Sequence, residues 1–364
     1  MAYPTPAASP APAPPSSTAD SARVDLPATS ASPAWHPSSG TKPVLYLTTH
    51  LHPVARVRAD ELFDVIDDND PRFSEWWNYA DACVLRTGRV TDSEARKARS
   101  LRIIARNGVG YDMVPLDACK DMGICATYQP GSNAKAVAEL ALSLSLSVLR
   151  RTTELDRRLR RGEDMPNIQF LAETVEGRTL GLVGMGDIAR ETAKKFYGAY
   201  DSPILVYSPT SSGLKWTEQD PSGHPAIPHR RVSSLEELLQ QADIVSLHCP
   251  LNAQTEKMMS DAQFAMMKKS AVFINTARGG LVDEPALLRA LQSQQIYGAG
   301  VDVFVTEPPK PEQYGELFQQ ENVVVNPHAG AGTHRVQIDS CTIAVETCWS
   351  WLHGEGIGKS TRLV

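Results

Sequence analysis

An arginine, a carboxylate and a histidine each follow an apolar, strand-like run in the C-terminal half of the chain. Arg278 stands in Asn-Thr-Ala-Arg-Gly-Gly, Glu307 in Val-Phe-Val-Thr-Glu-Pro, and His328 in Asn-Pro-His-Ala-Gly. A planar guanidinium can bind a carboxylate through two parallel hydrogen bonds. A carboxylate beside an imidazole stabilises the protonated ring, so that the ring can donate or accept a proton. The three residues together predict a site that binds a small carboxylic acid and transfers a proton to or from it.

Each of these residues also has an ordinary structural interpretation. A single histidine such as His328 is more often a packed or capping residue, and Arg278 could be a surface arginine in a glycine-flanked turn. Glu307 and His328 follow consecutive predicted strands, so their side chains can meet at one edge of a sheet. This order along the chain favours the functional interpretation. We assign His248, which precedes Cys-Pro-Leu, to structure or cofactor contact.

A glycine fingerprint lies upstream of these motifs. Gly184 and Gly186 follow a short apolar strand and are followed by Asp187, Ile188 and Ala189, which open a predicted helix. The first glycine permits a tight turn, the second lets the backbone approach a pyrophosphate, and the helix N-terminus offers free N–H groups. The pattern is common by chance, but its strand–turn–helix context indicates dinucleotide binding.

The strand after the fingerprint ends at Ser208, where a carboxylate would bind the ribose 2′-hydroxyl of NAD. A serine does not repel a 2′-phosphate, and Lys215 is close in sequence. NADP is therefore favoured, with a relaxed NAD site as the alternative. The polar segment 208–228 is longer than usual for such a loop and is either a surface insertion or a wrap around the adenosine end of the cofactor.

Strands and helices alternate along the chain, which predicts parallel sheets covered on both faces. The strands of the first set are predicted at 43–48, 82–86 and 101–106, and the helices at 60–66, 93–99 and 132–151. The strands of the second set are predicted at 179–183, 203–207, 244–248, 271–275, 298–303 and 323–326, and the helices of this half at 188–196, 233–240, 261–267, 284–292 and 336–352.

We therefore predict an α/β protein of two doubly wound parallel-sheet domains, with a Rossmann dinucleotide-binding domain inserted into a discontinuous, flavodoxin-like substrate domain. The expected boundaries are a tail at 1–40, substrate domain at 41–150, the cofactor domain at 151–329 and a returning C-terminal helix at 330–364. Within the first domain, Val109 and Gly110 lie in a glycine-bracketed turn that could aim N–H groups at an anion or be a plain tight turn.

Composition limits the other classes of function. The 36 basic and 42 acidic residues give a net charge of −6 without a basic block, so nucleic acid and membrane partners are not expected. Segment 1–40 is rich in Pro, Ala and Ser and is predicted to be disordered, without the apolar core of a secretory signal. Six scattered cysteines without paired spacing favour a reduced, cytoplasmic setting and no metal site.

With these motifs assembled, residues from about 43 to 354 resemble the D-isomer-specific 2-hydroxyacid dehydrogenases. The resemblance implies that Arg278 binds the substrate carboxylate and carbonyl, that Glu307 supports the histidine, and that His328 is the acid/base. It implies that backbone N–H groups of Val109 and Gly110 also hold the carboxylate. It implies a homodimer built on the cofactor domain.

The same resemblance implies contacts with NAD or NADP. Beyond Gly184 and Gly186, these are Asp187 and Ile188 at the phosphates, Cys249 and Thr276 along the cofactor, and Asp302 near the nicotinamide amide. Ser208 departs from the family, because members that use NAD usually have an acid there.

The expected substrates are glyoxylate, hydroxypyruvate or a bulkier 2-oxo acid. Glu307 argues against the formate dehydrogenases of this group, which have glutamine in its place. A phosphoglycerate dehydrogenase remains an alternative, because Arg86 could meet a substrate phosphate. A dinucleotide-sensing corepressor or scaffold of the same fold remains another, because such a protein could keep all three site residues.

Overall fold

The computed structural model describes residues 42–166 and 170–364. The predicted tail at 1–40 lies outside the described residues. The described chain forms two parallel sheets with helices on both faces.

The first sheet is built mainly from the N-terminal half of the chain. Its strands and helices are β1 (Val44–Leu47), α1 (Pro53–Leu62), β2 (Asp64–Ile66), a 3₁₀ helix (Phe73–Asn78), β3 (Ala82–Leu85), α2 (Asp92–Lys97), β4 (Ile103–Arg106), α3 (Leu116–Met122) and β5 (Cys125–Tyr128). The parallel strands lie in the order β2-β1-β3-β4-β5, the flavodoxin-like order.

The second sheet follows α4 (Ala134–Leu149) and α5 (Thr152–Arg160). Its elements are β6 (Leu180–Val183), α6 (Asp187–Tyr200), β7 (Ile204–Tyr207), β8 (Arg230–Arg231), α7 (Leu235–Gln241), β9 (Ile244–Leu247), α8 (Asp261–Met266), β10 (Val272–Asn275), a 3₁₀ helix (Gly279–Leu281), α9 (Glu284–Gln292), β11 (Gly298–Val301), α10 (Pro311–Phe318) and β12 (Val323–Val325). The order β8-β7-β6-β9-β10-β11-β12 is that of a Rossmann sheet with β12 added at one edge.

The end of the chain returns to the first sheet. Helix α11 (His334–Leu352) packs against α1 and β4, and its buried residues, including Cys341 and Val345, share a core with Leu45 and Ile103. Strand β13 (Thr361–Arg362) then pairs antiparallel with β5. Chain segments on both sides of the second sheet therefore build the first one, and the predicted fold class is confirmed.

Local patterns misled the prediction in several places, and no element was predicted at α3, β5, α5, α10 or β13. The helix predicted at 60–66 is wrong, because α1 ends at Leu62 and the next residues form β2, which pairs with β1 through Val44 and Asp64. The two-residue strand β8 has no apolar pattern and was not predicted. Both strands depend on pairing with a neighbour, which local propensity does not report.

Within residues 42–166 and 170–364, no helix combines the length and apolarity needed to cross a bilayer.

Gly181 in β6 allows helix α7 to approach the second sheet closely. A Cβ atom at this position would lie 2.6 Å from Cβ of Ala242 and 2.7 Å from Cδ2 of Leu238. By contrast, a Cβ at Gly198, in α6, would meet no atom within 4 Å. The sheet therefore has no room for a side chain at Gly181, whereas the helix has room at Gly198.

We expect Gly181→Val to destabilise the protein by roughly 1–3 kcal/mol through overpacking. Gly198→Ala should leave stability unchanged or raise it by up to about 1 kcal/mol, because alanine is the better helix former. Urea unfolding midpoints of the two variants provide the measurement. A Gly181→Val variant as stable as the wild type would mean that α7 does not lie as close as described.

Candidate active site

His328 and Glu307 form a hydrogen-bonded pair. Nδ1 of His328 lies 2.8 Å from Oε2 of Glu307. The side chains are 47% and 35% exposed, so the pair borders solvent. Burial raises the pKa of Glu307, but the hydrogen bond and charge of His328 lower it. The N–H of Phe304 and the charge of Arg278 act in the same direction as His328, so the pKa of Glu307 is lowered overall. The carboxylate holds Nδ1 and leaves Nε2 as the ring nitrogen available to a substrate.

Asp302 fixes the turn that carries His328. Its carboxylate accepts hydrogen bonds from the N–H groups of Ala329 at 2.7 Å and Gly330 at 2.9 Å, and its carbonyl accepts one from the N–H of His328 at 2.7 Å. His328 lies in the left-handed region at φ 57°, an uncommon conformation for a non-glycine residue. Asp302 is 1% exposed, and burial raises its pKa, although the two N–H groups oppose this. Asp302, which the sequence predicted as a cofactor contact, therefore binds the backbone of the turn that carries His328.

Two side chains that the sequence analysis did not select, the partly buried Glu284 and the buried Tyr314, hold the loop of Glu307. Oε1 of Glu284 accepts a hydrogen bond from the N–H of Val305 at 2.9 Å, and the hydroxyl of Tyr314 accepts one from the N–H of Thr306 at 3.0 Å. Burial raises the pKa of Glu284. Glu284 could have been selected from the sequence because it is an acidic residue at the start of a predicted helix. No sequence pattern distinguished Tyr314.

Gly279 packs the loop of Arg278 against the loop of Glu307. A Cβ at this glycine would lie 2.0 Å from the carbonyl carbon of Phe304, closer than any side chain allows. The carbonyl of Arg278 also accepts a hydrogen bond from Nδ2 of Asn275 at 2.9 Å. The glycine in the arginine motif is therefore required for the arginine and the glutamate to share one site.

Arg278 reaches across to the turn after β4. Its Nη2 donates to Oδ1 of Asp112 at 3.0 Å, and a Cβ at Gly110 would lie only 1.6 Å from the same nitrogen. Burial raises the pKa of Asp112, but Arg278 lowers it further, so that this carboxylate stays charged. The backbone at Gly110 and the guanidinium of Arg278 are therefore in contact, as a shared carboxylate subsite requires. Asp112 was not predicted.

Arg106, also missed from the sequence, holds the turn in place. Its guanidinium donates to the carbonyl oxygens of Leu85, Arg86, Asn107 and Gly110. Burial, followed by repulsion from nearby Arg278, lowers the pKa of Arg106 to about 10, so it remains a cation at neutral pH. The guanidinium of Arg106 therefore fixes the turn after β4, and the guanidinium of Arg278 contacts the same turn from the second sheet.

The glycine fingerprint has the geometry that a pyrophosphate needs. Gly184 has φ +109°, and a Cβ there would lie 2.6 Å from the carbonyl oxygen of His248. A Cβ at Gly186 would meet nothing within 4 Å, which leaves open space in front of α6. Asp187 and Ile188 begin this helix, and no side chain caps its N–H groups. An open, uncapped helix N-terminus is a suitable anion site.

Other predicted cofactor contacts lie along the ends of β9 and β10. Thr276 is 7% exposed, and its buried hydroxyl has no hydrogen-bond partner among the described residues. Cys249 follows His248, whose Nε2 lies 2.9 Å from the hydroxyl of Ser246. Burial lowers the pKa of His248 to about 3. His248 is therefore neutral at physiological pH and is unsuited to donate a proton. The unpartnered hydroxyl of Thr276 fits its predicted role as a contact of the dinucleotide.

The turn after β7 contains Ser208, whose hydroxyl lies 2.7 Å from the hydroxyl of Ser211. Arg231, in β8, donates to the carbonyl oxygens of this turn and was not selected from the sequence. The 208–228 segment is anchored by Trp216, which is 1% exposed. The segment is therefore packed onto the domain and borders the predicted ribose position.

Among the described residues, no group of three His, Cys, Asp or Glu side chains lies together to hold a metal ion.

The chain is similar to known proteins along most of its length. Residues 142–330 match the family model described as D-isomer specific 2-hydroxyacid dehydrogenase, NAD binding domain. Glyoxylate/hydroxypyruvate reductase B of Enterobacter sp. is 33% identical, over 86% of this chain and 96% of that protein. D-3-phosphoglycerate dehydrogenase of Methanocaldococcus jannaschii is 35% identical over 76% of this chain, which spans half the length of that relative.

A solved structure supports the same relationship. The NADPH-dependent glyoxylate/hydroxypyruvate reductase of Sinorhizobium meliloti, in complex with NADP and malonate, aligns with a TM-score of 0.72 and 26% identity. The alignment covers 85% of this chain and 94% of that one. The fold and the matches define an oxidoreductase of 2-hydroxy acids that uses a nicotinamide dinucleotide. This chain belongs to the D-isomer-specific 2-hydroxyacid dehydrogenase family.

We expect Glu307→Gln to lower kcat/KM for oxo-acid reduction by at least about tenfold, because the protonated form of His328 loses its partner. The pKa of wild-type Glu307 is lowered, so its carboxylate stays charged above that pKa and is available to stabilise the protonated ring. This stabilisation is lost when pH falls far enough to protonate the carboxylate. In the variant, the high-pH decline of the reduction rate should shift to lower pH. The measurement is the pH profile of kcat/KM.

Glu312→Gln provides the matched control, because Glu312 is exposed at the start of α10 and undergoes the same chemical change. It should keep the wild-type profile. An unchanged profile for Glu307→Gln as well would contradict the assigned role of the pair.

Proposed function

We propose that this protein reduces a small 2-oxo acid, of the size of glyoxylate or hydroxypyruvate, to the D-2-hydroxy acid. The observation that carries the proposal is the His328–Glu307 pair, packed beside Arg278 where Arg278 meets the backbone of Gly110. Such an arrangement offers a carboxylate subsite and a proton donor in one site, as reduction of a 2-oxo acid requires.

In the proposed reaction, the guanidinium of Arg278 and the N–H groups of Val109 and Gly110 bind the substrate carboxylate. Asp112, which holds Arg278 at 3.0 Å, gives way to that carboxylate. A bound nicotinamide dinucleotide supplies the hydride. Nε2 of the protonated His328 donates its proton to the oxo oxygen as the alcohol forms, and Glu307 stabilises the positive charge on the ring until then.

The dinucleotide would be held by residues at the ends of β6, β7, β9 and β10. Its phosphates would face Gly184, Gly186 and the first N–H groups of α6, at Asp187 and Ile188. Its further contacts would be with Cys249 and Thr276, and Asp302 would act chiefly through the turn of His328.

We infer NADP as the preferred cofactor because Ser208 places a neutral hydroxyl where NAD-specific sites have a carboxylate. The structural neighbour from Sinorhizobium meliloti, named as NADPH-dependent, supports this inference.

A phosphorylated substrate is a second candidate. Arg86 lies at the end of β3, next to the turn held by Arg106, and within the described residues its guanidinium forms no ion pair. The similarity to a D-3-phosphoglycerate dehydrogenase favours testing this candidate.

We further propose a cytoplasmic homodimer, as the family resemblance and the six free cysteines suggest.

The proposal is tested by following NADPH and NADH absorbance with glyoxylate, hydroxypyruvate, phosphohydroxypyruvate and bulkier 2-oxo acids. We expect turnover with at least one acid, and a fall of about 10²–10⁴-fold in His328→Ala with cofactor affinity unchanged, because the ring acts only in proton transfer. Tight cofactor binding without turnover of any acid would contradict the enzyme and favour a dinucleotide-sensing corepressor or scaffold.

Ser208→Asp should weaken NADPH relative to NADH by at least about tenfold, because its carboxylate would repel the 2′-phosphate. Gln219→Asp adds the same charge at an exposed position of the same segment and should leave the preference unchanged. Dissociation constants measured by cofactor fluorescence decide the point. An unmoved preference in Ser208→Asp would show that Ser208 does not border the ribose.

A further inference from the structure

Arg231 places a guanidinium inside the turn after β7. Its Nη2 donates to the carbonyl oxygens of Ser208 at 2.6 Å and Ser211 at 3.0 Å, and its Nη1 donates to that of Ser212 at 2.6 Å. Arg231 is paired with Val206 in the sheet, so β8 brings it to this turn from the far side of β7. The side chain is partly buried.

The charge of Arg231 has no carboxylate partner within the described part of the chain. Its hydrogen-bond acceptors are backbone carbonyls, and its Nε–H group makes no hydrogen bond there. Neighbouring Arg230 differs, because it donates to Glu237 at 2.9 Å and to Gln241, both on α7. A partly buried cation without a counter-ion creates a positive potential that can attract an anionic ligand.

The turn that holds Arg231 is the one that borders the ribose in a Rossmann domain. The residue at the end of the second strand, here Ser208, is the position that discriminates a 2′-hydroxyl from a 2′-phosphate. Ser208 removes the repulsion that an acid would exert but contributes no charge. NADP-using sites of this fold accommodate the phosphate with a nearby arginine.

We propose that Arg231 is the specificity-determining residue for the cofactor and supplies the positive charge that stabilises the 2′-phosphate of NADP. This proposal rests on the proposed dinucleotide site. Arg231 selects the phosphate from the β8 side of the turn, while Ser208 and Ser211 line it with hydroxyl groups. The pair of serines and the arginine thus form one phosphate subsite.

Two fragments of the cofactor isolate this subsite from catalysis. Adenosine 2′,5′-bisphosphate carries the extra phosphate and AMP lacks it, so the ratio of their dissociation constants measures recognition of the 2′-phosphate alone. We expect Arg231→Gln to weaken the bisphosphate by about tenfold or more, equivalent to about 1.4 kcal/mol, and AMP by less than about twofold. Calorimetric titration of each fragment gives the constants.

Arg230→Gln is the matched control, because it removes the same charge from the adjacent residue, and it should alter neither fragment. Arg231→Lys should retain much of the selectivity, because it keeps the charge. Wild-type binding of the bisphosphate should weaken with salt more steeply than binding of AMP, a measurement that needs no variant. In Arg231→Gln, this difference should disappear.

A purely structural Arg231 would weaken both fragments in parallel and leave their ratio unchanged, which would overturn the proposal. Equal binding of both fragments to the wild type would overturn it as well. The proposed reduction of 2-oxo acids fails separately, through absence of turnover in the wild-type protein, because fragment binding does not depend on His328.

Discussion

The hydrogen bonds of Asp302 are the constraint on which the rest of the site depends. One buried carboxylate accepts from the N–H groups of Ala329 and Gly330, while the carbonyl of the same residue accepts from His328. These bonds hold His328 at its positive φ and link the end of β11 to the turn after β12. With the backbone fixed in this way, Nδ1 of the ring reaches Glu307 and Nε2 is left for the substrate. Loss of Asp302 would release the turn and leave its N–H groups without partners.

The proposed carboxylate subsite depends equally on close backbone packing. Gly279 lets the arginine loop lie on the backbone of Phe304, and Gly110 lets Arg278 lie on the turn after β4. Arg106 fixes that turn through four carbonyl oxygens, and Asp112 binds the guanidinium of Arg278, which in the proposed reaction would bind the substrate carboxylate. Residues of both sheets therefore build the subsite, as is common for ligand sites between domains.

The sequence was sufficient for the fold class and for the residues that stand at strand ends. Apolar runs followed by Gly184, Arg278, Glu307 and His328 predicted both the alternating architecture and the edge of the sheet where these groups lie. The short edge strands β2 and β8 were not predictable, because β8, for example, is stabilised by pairing with β7 and not by its own composition.

The supporting groups were missed for a related reason. Tyr314 and Arg231 act by bonding backbone atoms of other loops, and Arg106 acts on carbonyls up to 21 residues away along the chain. No local motif identifies such contacts, because tertiary folding creates them. The insertion 208–228 is packed onto the domain through the buried Trp216, a contact that its polar composition did not indicate.

In the proposed reaction, a hydride is transferred to C2 of a 2-oxo acid in this site while His328 protonates the oxygen. Its most direct test is reduction of hydroxypyruvate with NADPH deuterated at C4 on the transferred face, followed by mass and chirality analysis of the product. We expect D-glycerate with one deuterium at C2. A product of the L configuration, a product without deuterium, or no product with this or any other 2-oxo acid would contradict it.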